Sequence, residues 1–244
     1  MCGLCQKDAR RIHMKFDYIE IGSSCFKTLA EVFKDDDSIV GLSIEPMPPL
    51  HDIIESHCLG SKNKHFLNAA VVGNPEIKNV RFYYTMDKNI SSISEAGIGS
   101  TDLESLKRAI SKARFPVRGE IKEKTVKAFT FNALLKKYGI TSVEFLKIDT
   151  EGSDYDIVKD LLISNINIEV VLFEVDPFMT KEQIEELTVK LQSAGYNTER
   201  VDRDMYCYKP ETGKDYKYYT NISKKYYNKN KWLKKVKQLA GKNE

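Results

Sequence analysis

Apolar and polar positions alternate along the first 75 residues in two rhythms that take turns. Phe16-Asp-Tyr-Ile-Glu-Ile-Gly22 is rich in β-branched and aromatic residues and closes on glycine, which predicts a strand. Leu29, Val32 and Phe33 then share one helical face. Ser38-Ile-Val-Gly-Leu-Ser-Ile-Glu45 predicts a second buried strand, ended by Pro46. Helical spacing returns at Leu50, Ile53, Ile54 and Cys58, and His65-Phe-Leu-Asn-Ala-Ala-Val-Val72 predicts a third strand. A β-α-β-α-β order of this kind predicts an α/β domain, a doubly wound parallel sheet covered by helices on both faces.

Residues 74–125 are less regular. They offer a strand at Val80–Thr85, a Gly/Ser-rich loop at Ser91–Thr101 and a polar helix at Asp102–Lys112. Too few apolar residues fall here for a separate core, so the segment reads as an insertion on the domain. The pattern resumes with a strand at Thr125–Phe129, a helix at Asn132–Tyr138 and a strand at Val143–Asp149. A helix follows with Val158, Leu161 and Leu162 on one face, then the most apolar strand, Ile168–Asp176. The helix Thr180–Ala194 is closed by Gly195. Tyr196–Asp202 and Met205–Lys209, separated by Arg203-Asp204, predict a final antiparallel hairpin. The expected organisation is an N-terminal extension over 1–15, a domain over 16–208 and a tail over 209–244.

Charge changes the picture at the tail. The chain of 244 residues carries a formal net charge of +3. From Lys209 onward there are 11 Lys and 3 acidic residues, so the tail carries +8 and the rest −5. Lysines are interleaved with Tyr216, Tyr218, Tyr219, Tyr226, Tyr227 and Trp232. Trp232, Leu233, Val236, Leu239 and Ala240 share a helical face. Such a segment suits RNA phosphates or an anionic membrane surface; the plainer alternative is a helix docked on the acidic body. The five cysteines are scattered, and Cys2-Gly-Leu-Cys5 has no second pair to complete a zinc site. No apolar run suggests a signal peptide or a membrane span, so a cytoplasmic location is expected.

Candidate chemistry gathers at the strand ends, where ligands bind in open α/β sheets. The first ends Glu20-Ile-Gly22-Ser23-Ser24; glycine admits close backbone approach, and a helix N-terminus follows. The second ends in Glu45, 23 residues after Gly22, where an acidic residue grips a ribose diol. The third closes near Asn68-Ala69, where an amide meets an adenine edge. Each also has an ordinary reading as a cap, a solvated strand end or a turn. Lys147, Asp149 and Glu151 alternate and so share one side of a strand that packing alone would make apolar. Helix capping explains Ser153 and Asp154 but not Lys-x-Asp-x-Glu-Gly.

These residues also carry a resemblance. Leu146-Lys-Ile-Asp-Thr-Glu-Gly152, preceded by Thr130-Phe-Asn-Ala-Leu-Leu and followed by Asp156-Ile-Val-Lys, resembles the signature of FkbM-type methyltransferases. Tyr18-Ile-Glu-Ile-Gly-Ser-Ser, Ser43-Ile-Glu-Pro, Asn68-Ala-Ala, Leu172-Phe-Glu-Val175 and Ala194-Gly-Tyr196 continue it in order, over roughly residues 16–208. The resemblance implies a class I methyltransferase (Rossmann-like) sheet of seven strands with an antiparallel last strand. It implies S-adenosyl-L-methionine as cofactor, with Glu20, Gly22, Ser23 and Ser24 near the methionine part, Glu45 and Pro46 at the ribose, and Asn68 and Ala69 near the adenine. Asp149 takes the catalytic position, with Lys147 and Glu151 beside it, and no metal is assigned. The loop departs from the commoner glycine-rich form, since only Gly22 is present.

The function so implied is O-methylation of a sugar or other small-molecule hydroxyl, Asp149 being the first candidate for general base. His51, His57 and His65 are read as surface or packing residues. Three alternatives stay open: an RNA 2′-O-methyltransferase, a nicotinamide-dependent oxidoreductase, and a non-catalytic module presenting its tail to RNA. The oxidoreductase leaves Lys-x-Asp-x-Glu-Gly unexplained.

Overall fold

The computed structural model describes residues 14–23, 29, 33, 35–58, 61–86, 97–112, 119–175, 177–218 and 220–221. The cysteine pair at 2 and 5, most of the stretch around Leu29 to Phe33, and the Trp232 face lie outside them.

The central sheet starts from β1 (Met14–Ile21). Burial along β1 runs almost unbroken from Phe16 to Ile21, as a strand covered on both faces requires. On one side lie β2 (Gly41–Ile44) and then β3 (Lys64–Leu67), both parallel. On the other lie β8 (Ile140–Ile148) and β9 (Asn167–Glu174), also parallel. The hairpin of β10 (Asn197–Val201) and β11 (Asp204–Tyr208) closes the sheet with β11 antiparallel to β9. The order is therefore β10-β11-β9-β8-β1-β2-β3, seven strands with an antiparallel last one. The hairpin turn is Asp202-Arg203, one residue earlier than expected, and Asp202 takes the left-handed φ of +54° that a two-residue turn asks of its first residue.

Successive strands are added on one side of β1 up to β3 and on the other from β8. The switch point, and with it the crevice for a ligand, therefore falls at the carboxyl ends of β1 and β8. Helices α1 (His51–Cys58), α3 (Phe131–Tyr138), α4 (Asp154–Leu162) and α5 (Lys181–Ser193) accompany the strands. Local signals set their ends. The Thr130 side chain accepts the Ala133 N–H, and Thr180 and Gln183 form a reciprocal capping box. Ser153 opens α4 but makes no side-chain cap bond, contrary to the capping expected of it. Ile19, Leu42, Val143, Leu146, Val158, Val171 and Leu187 belong to the main core, all at 0% exposure.

The expected third strand is two strands. The chain leaves the main sheet after Leu67, and Ala70–Val71 (β4) pairs with β7 (Lys122–Phe129) in a second sheet of order β4-β7-β5-β6. The predicted strand ending at Phe129 therefore belongs to that sheet. Here β5 is Asn79–Met86 and β6 is Gly97–Ser100, so the expected Gly/Ser loop holds a strand. Helix α2 (Leu103–Lys112) packs on it through Leu106 and Ala109 beside Ile98. A shared cluster of Met47, Leu50, Ile54, Ala70, Phe82 and Val126 joins this sheet to the body.

The start of the tail is docked. Lys214 bridges Glu144 (2.8 Å) and Glu169 (2.5 Å), and Tyr216 meets the ring of buried Tyr206 edge-on at 5.4 Å. Truncation after Gly213 should lower the melting temperature by several degrees in calorimetry. An unchanged melting point would show that these contacts add nothing to stability. No helix among the described residues is long and apolar enough to cross a membrane.

Candidate active site

Three strand ends converge through the backbone. The Asp149 N–H donates to Ile21 O (2.9 Å), and the Gly22 and Ser23 N–H groups donate to Ile44 O (2.9 and 3.1 Å). Gly22 has φ +82°, and a Cβ there would lie 1.7 Å from the Asp149 carbonyl oxygen. Only glycine lets the β1 loop press against the end of β8. Above these ends is a cavity of about 580 Å³, inside the roughly 300–1,000 Å³ range of small-molecule and cofactor sites.

One end of the cavity is lined by Gly22, Glu45, Pro46, Met47, Ala69 and Ala70. Glu45 is 5% exposed and its Oε1 accepts the Met47 N–H at 2.8 Å, which holds the carboxylate against the wall. The roof is the second sheet, through Phe82, Gly97, Ile98 and Gly99.

The other end is acidic. Asp149, Glu151, Glu174, Asp202 and Asp204 line it with Arg203. Carboxylate oxygens of Asp149, Glu151 and Glu174 lie within 4.8 Å of one another, a donor set that a divalent cation could use. Glu151 joins them from a left-handed backbone, φ +54°, its carbonyl accepting the Ser100 hydroxyl at 2.8 Å. That conformation costs on the order of 1–3 kcal/mol and survives because its surroundings impose it. Burial, then the charges of Asp149 and Asp154, push Glu151 up to about 8 against the opposing pull of Arg203. Burial, then Glu151 and Asp149, push Glu174 up to about 9. Burial likewise raises Asp154 and Asp204 to about 6.

Stability should follow pH accordingly. These carboxyls hold their protons more tightly folded than unfolded, so the folded form is penalised as pH climbs past the ordinary carboxylate range. The melting temperature should fall between about pH 5 and about pH 9, and Glu174→Gln should flatten that fall in calorimetry. A profile as steep in the variant as in the parent would clear Glu174 of the effect.

Glu20 lies behind the cavity wall rather than on it. It is wholly buried, its Oε2 accepting the Leu29 N–H (2.9 Å) and its Oε1 the Lys147 ammonium (3.2 Å). Burial raises its pKa and Lys147 opposes the shift. Lys147 also lies 3.6 Å from Asp149 Oδ2, so it ties the two acids together. The Ser23 hydroxyl is turned to Glu20 O and Ile44 O, and Asn68 is exposed and bonded to the His51 ring. Glu20, Ser23 and Asn68 are thus placed off the lining, whereas Gly22, Glu45, Pro46, Ala69, Asp149 and Glu151 are on it. Ser24 lies outside the described residues. The sequence reading missed Glu174 and the turn 202–204. The signal for Glu174 was available, an acidic residue closing a buried strand, as at Glu45 and Asp149.

No curated protein matches the sequence. Among solved structures, the fibrillarin pre-rRNA processing protein of Methanococcus jannaschii is similar at 10% identity, over 81% of this chain and 67% of that one, with a TM-score of 0.37. A chain of a fibrillarin/Nop5p complex is similar at 8% identity, over 79% and 71%, with a TM-score of 0.36. The methyltransferase FkbM domain matches residues 18–198, which include every lining residue of the cavity except Asp202, Arg203 and Asp204. The α/β chain with this strand order belongs to the FkbM methyltransferase family.

Proposed function

We propose that the protein transfers the methyl group of S-adenosylmethionine to a hydroxyl oxygen of a small molecule, a sugar or a compound of similar size. The observation that carries this reading is a single cavity with Glu45 on one wall and Asp149 on the other, closed between them by the Gly22–Asp149 backbone contact. The cradle fits the cofactor. Gly22 presents bare backbone on its lining, and Glu45 is held where a ribose diol can donate to its carboxylate. The cofactor, when bound, supplies an activated methyl group on a sulfonium.

What the chain's own residues do is mainly alignment. Gly22 brings backbone to the ligand, and Met47, Ala69 and Ala70 form an apolar wall. Asp149 accepts the acceptor's hydroxyl proton, and Lys147 holds that carboxylate in place. A cavity of about 580 Å³ is of the size that holds a cofactor with a small acceptor.

Calorimetry with S-adenosylhomocysteine tests the reading. Parent protein should bind at micromolar levels, and Glu45→Ala should weaken binding by about 1–3 kcal/mol through loss of a charge-assisted bond. Equal affinity in the variant would remove Glu45 from the site.

A further inference from the structure

The tail is fastened to the body where it begins. Lys214 is held between Glu144 and Glu169, and the Tyr206 hydroxyl donates to the Lys214 carbonyl at 2.9 Å. The Asp215 carboxylate then accepts the Tyr218 N–H at 3.0 Å and opens a helical turn that holds residues 216–218 and 220–221. Tyr216 packs inward on Tyr206, whereas Lys217, Tyr218 and Asn221 are exposed. Glu169 stands near the amino end of β9, while Glu174 at its carboxyl end lines the cavity, roughly 16 Å away along the strand. The tail therefore departs from the side of the sheet away from the cavity.

From Tyr216 on, the sequence carries nine lysines against one acidic side chain, Glu244. At helical spacing, the ten residues from Lys231 to Ala240 divide into two sides. Trp232, Leu233, Val236, Leu239 and Ala240 fall within about 120°, and Lys231, Lys234, Lys235 and Lys237 fall outside it. RNA phosphates would engage the lysines and leave the apolar side in water. Docking on the body would need an apolar patch to receive that side. The exposed large hydrophobics among the described residues are Ile121, Ile163, Val189 and Tyr218, on or beside four different elements, so they form no such patch.

We propose that the tail is a peripheral anchor for an anionic lipid surface, with the Trp232 side sunk below the headgroups and the lysines among them. A ten-residue helix is about 15 Å long, half the thickness of a bilayer core, so it lies in the interface and does not span. Each lysine near the surface adds attraction, which salt weakens. The body, at −5, is repelled by the same surface and is held off it on the tail. This anchoring stands apart from the methyl-transfer reading, and neither needs the other.

The test uses the full chain and its single tryptophan, which reports on the tail. Vesicles of phosphatidylcholine alone are compared with vesicles in which roughly one-third of the lipid is phosphatidylglycerol. The anionic vesicles should shift Trp232 emission to the blue and bind the protein at least about tenfold more tightly than neutral ones, less so in added salt. Val236→Asp spoils the apolar side and leaves every lysine in place. It should weaken vesicle binding at least about tenfold without moving the melting temperature. A chain ending at Asn221, which keeps the Lys214 and Tyr216 contacts, should not bind vesicles. Equal binding to both kinds of vesicle, or to neither, overturns the proposal. So does a Val236→Asp variant that binds anionic vesicles as the parent does, or parent protein that binds polyuridylate but not vesicles, which would make the tail a nucleic-acid arm. Trp232 shielded from acrylamide before lipid is added, and unmoved by it, would place that side on the body and overturn the proposal as well.

Discussion

The Asp149→Asn variant should bind S-adenosylhomocysteine as the parent does and transfer methyl groups at least ~10²-fold more slowly, the size expected for loss of a general base. The amide keeps the shape of the side chain but cannot accept the proton in the same way. The backbone N–H of residue 149 still donates to Ile21 O, so the strand end should hold. Loss of rate should appear in kcat with little change in cofactor affinity. Turnover equal to the parent in a single-turnover assay would show that Asp149 only shapes the loop.

Gly22→Ala should be more damaging still, because it strikes the backbone. The new methyl would sit 1.7 Å from the Asp149 carbonyl oxygen, at a φ of +82° that L side chains rarely adopt. The two strand ends would have to part, at a cost of several kcal/mol when the strain and the lost hydrogen bonds are taken together. Cofactor binding should vanish in calorimetry, and the melting temperature should drop by several degrees or more. A variant that binds S-adenosylhomocysteine with parental affinity would mean that the loop relaxes without opening the crevice.

Much of this was open to a reading of the residues, for identifiable reasons. β1, β8 and β9 announce themselves because strands buried on both faces leave runs such as Asp17-Tyr-Ile-Glu-Ile and Val170-Val-Leu-Phe. Asp149 stands out as a charge at the end of such a run. The third strand was misjudged because His65–Val72 is one apolar run, and burial cannot say that its two halves join different sheets. The insertion was obscure because its apolar residues, such as Val80 and Phe82, pack with Met47 and Leu50 of the body. Glu20 and Ser23 bear the right residue types, but which way a side chain leaves a strand end depends on neighbours far along the chain. Lys147, 127 residues away, turns Glu20 inward. Glu174 joins the acids only because β8 and β9 are neighbours, which no local pattern states.

The pairing of β1 with β8 has a consequence for how the chain comes to life. β1 is complete within the first 21 residues, yet one of its two neighbours in the sheet does not begin until Ile140. A ribosome adding roughly 5–20 residues per second leaves that flank open for many seconds, an unpaired strand edge exposed to other nascent chains. Topology of this kind also slows folding, since more than a hundred residues must be looped before the contact stabilises anything. The crevice, built from the last ends to meet, is then among the final features to form. A small molecule that occupies it would act as a folding aid as well as a reactant, drawing late intermediates toward the finished protein by mass action.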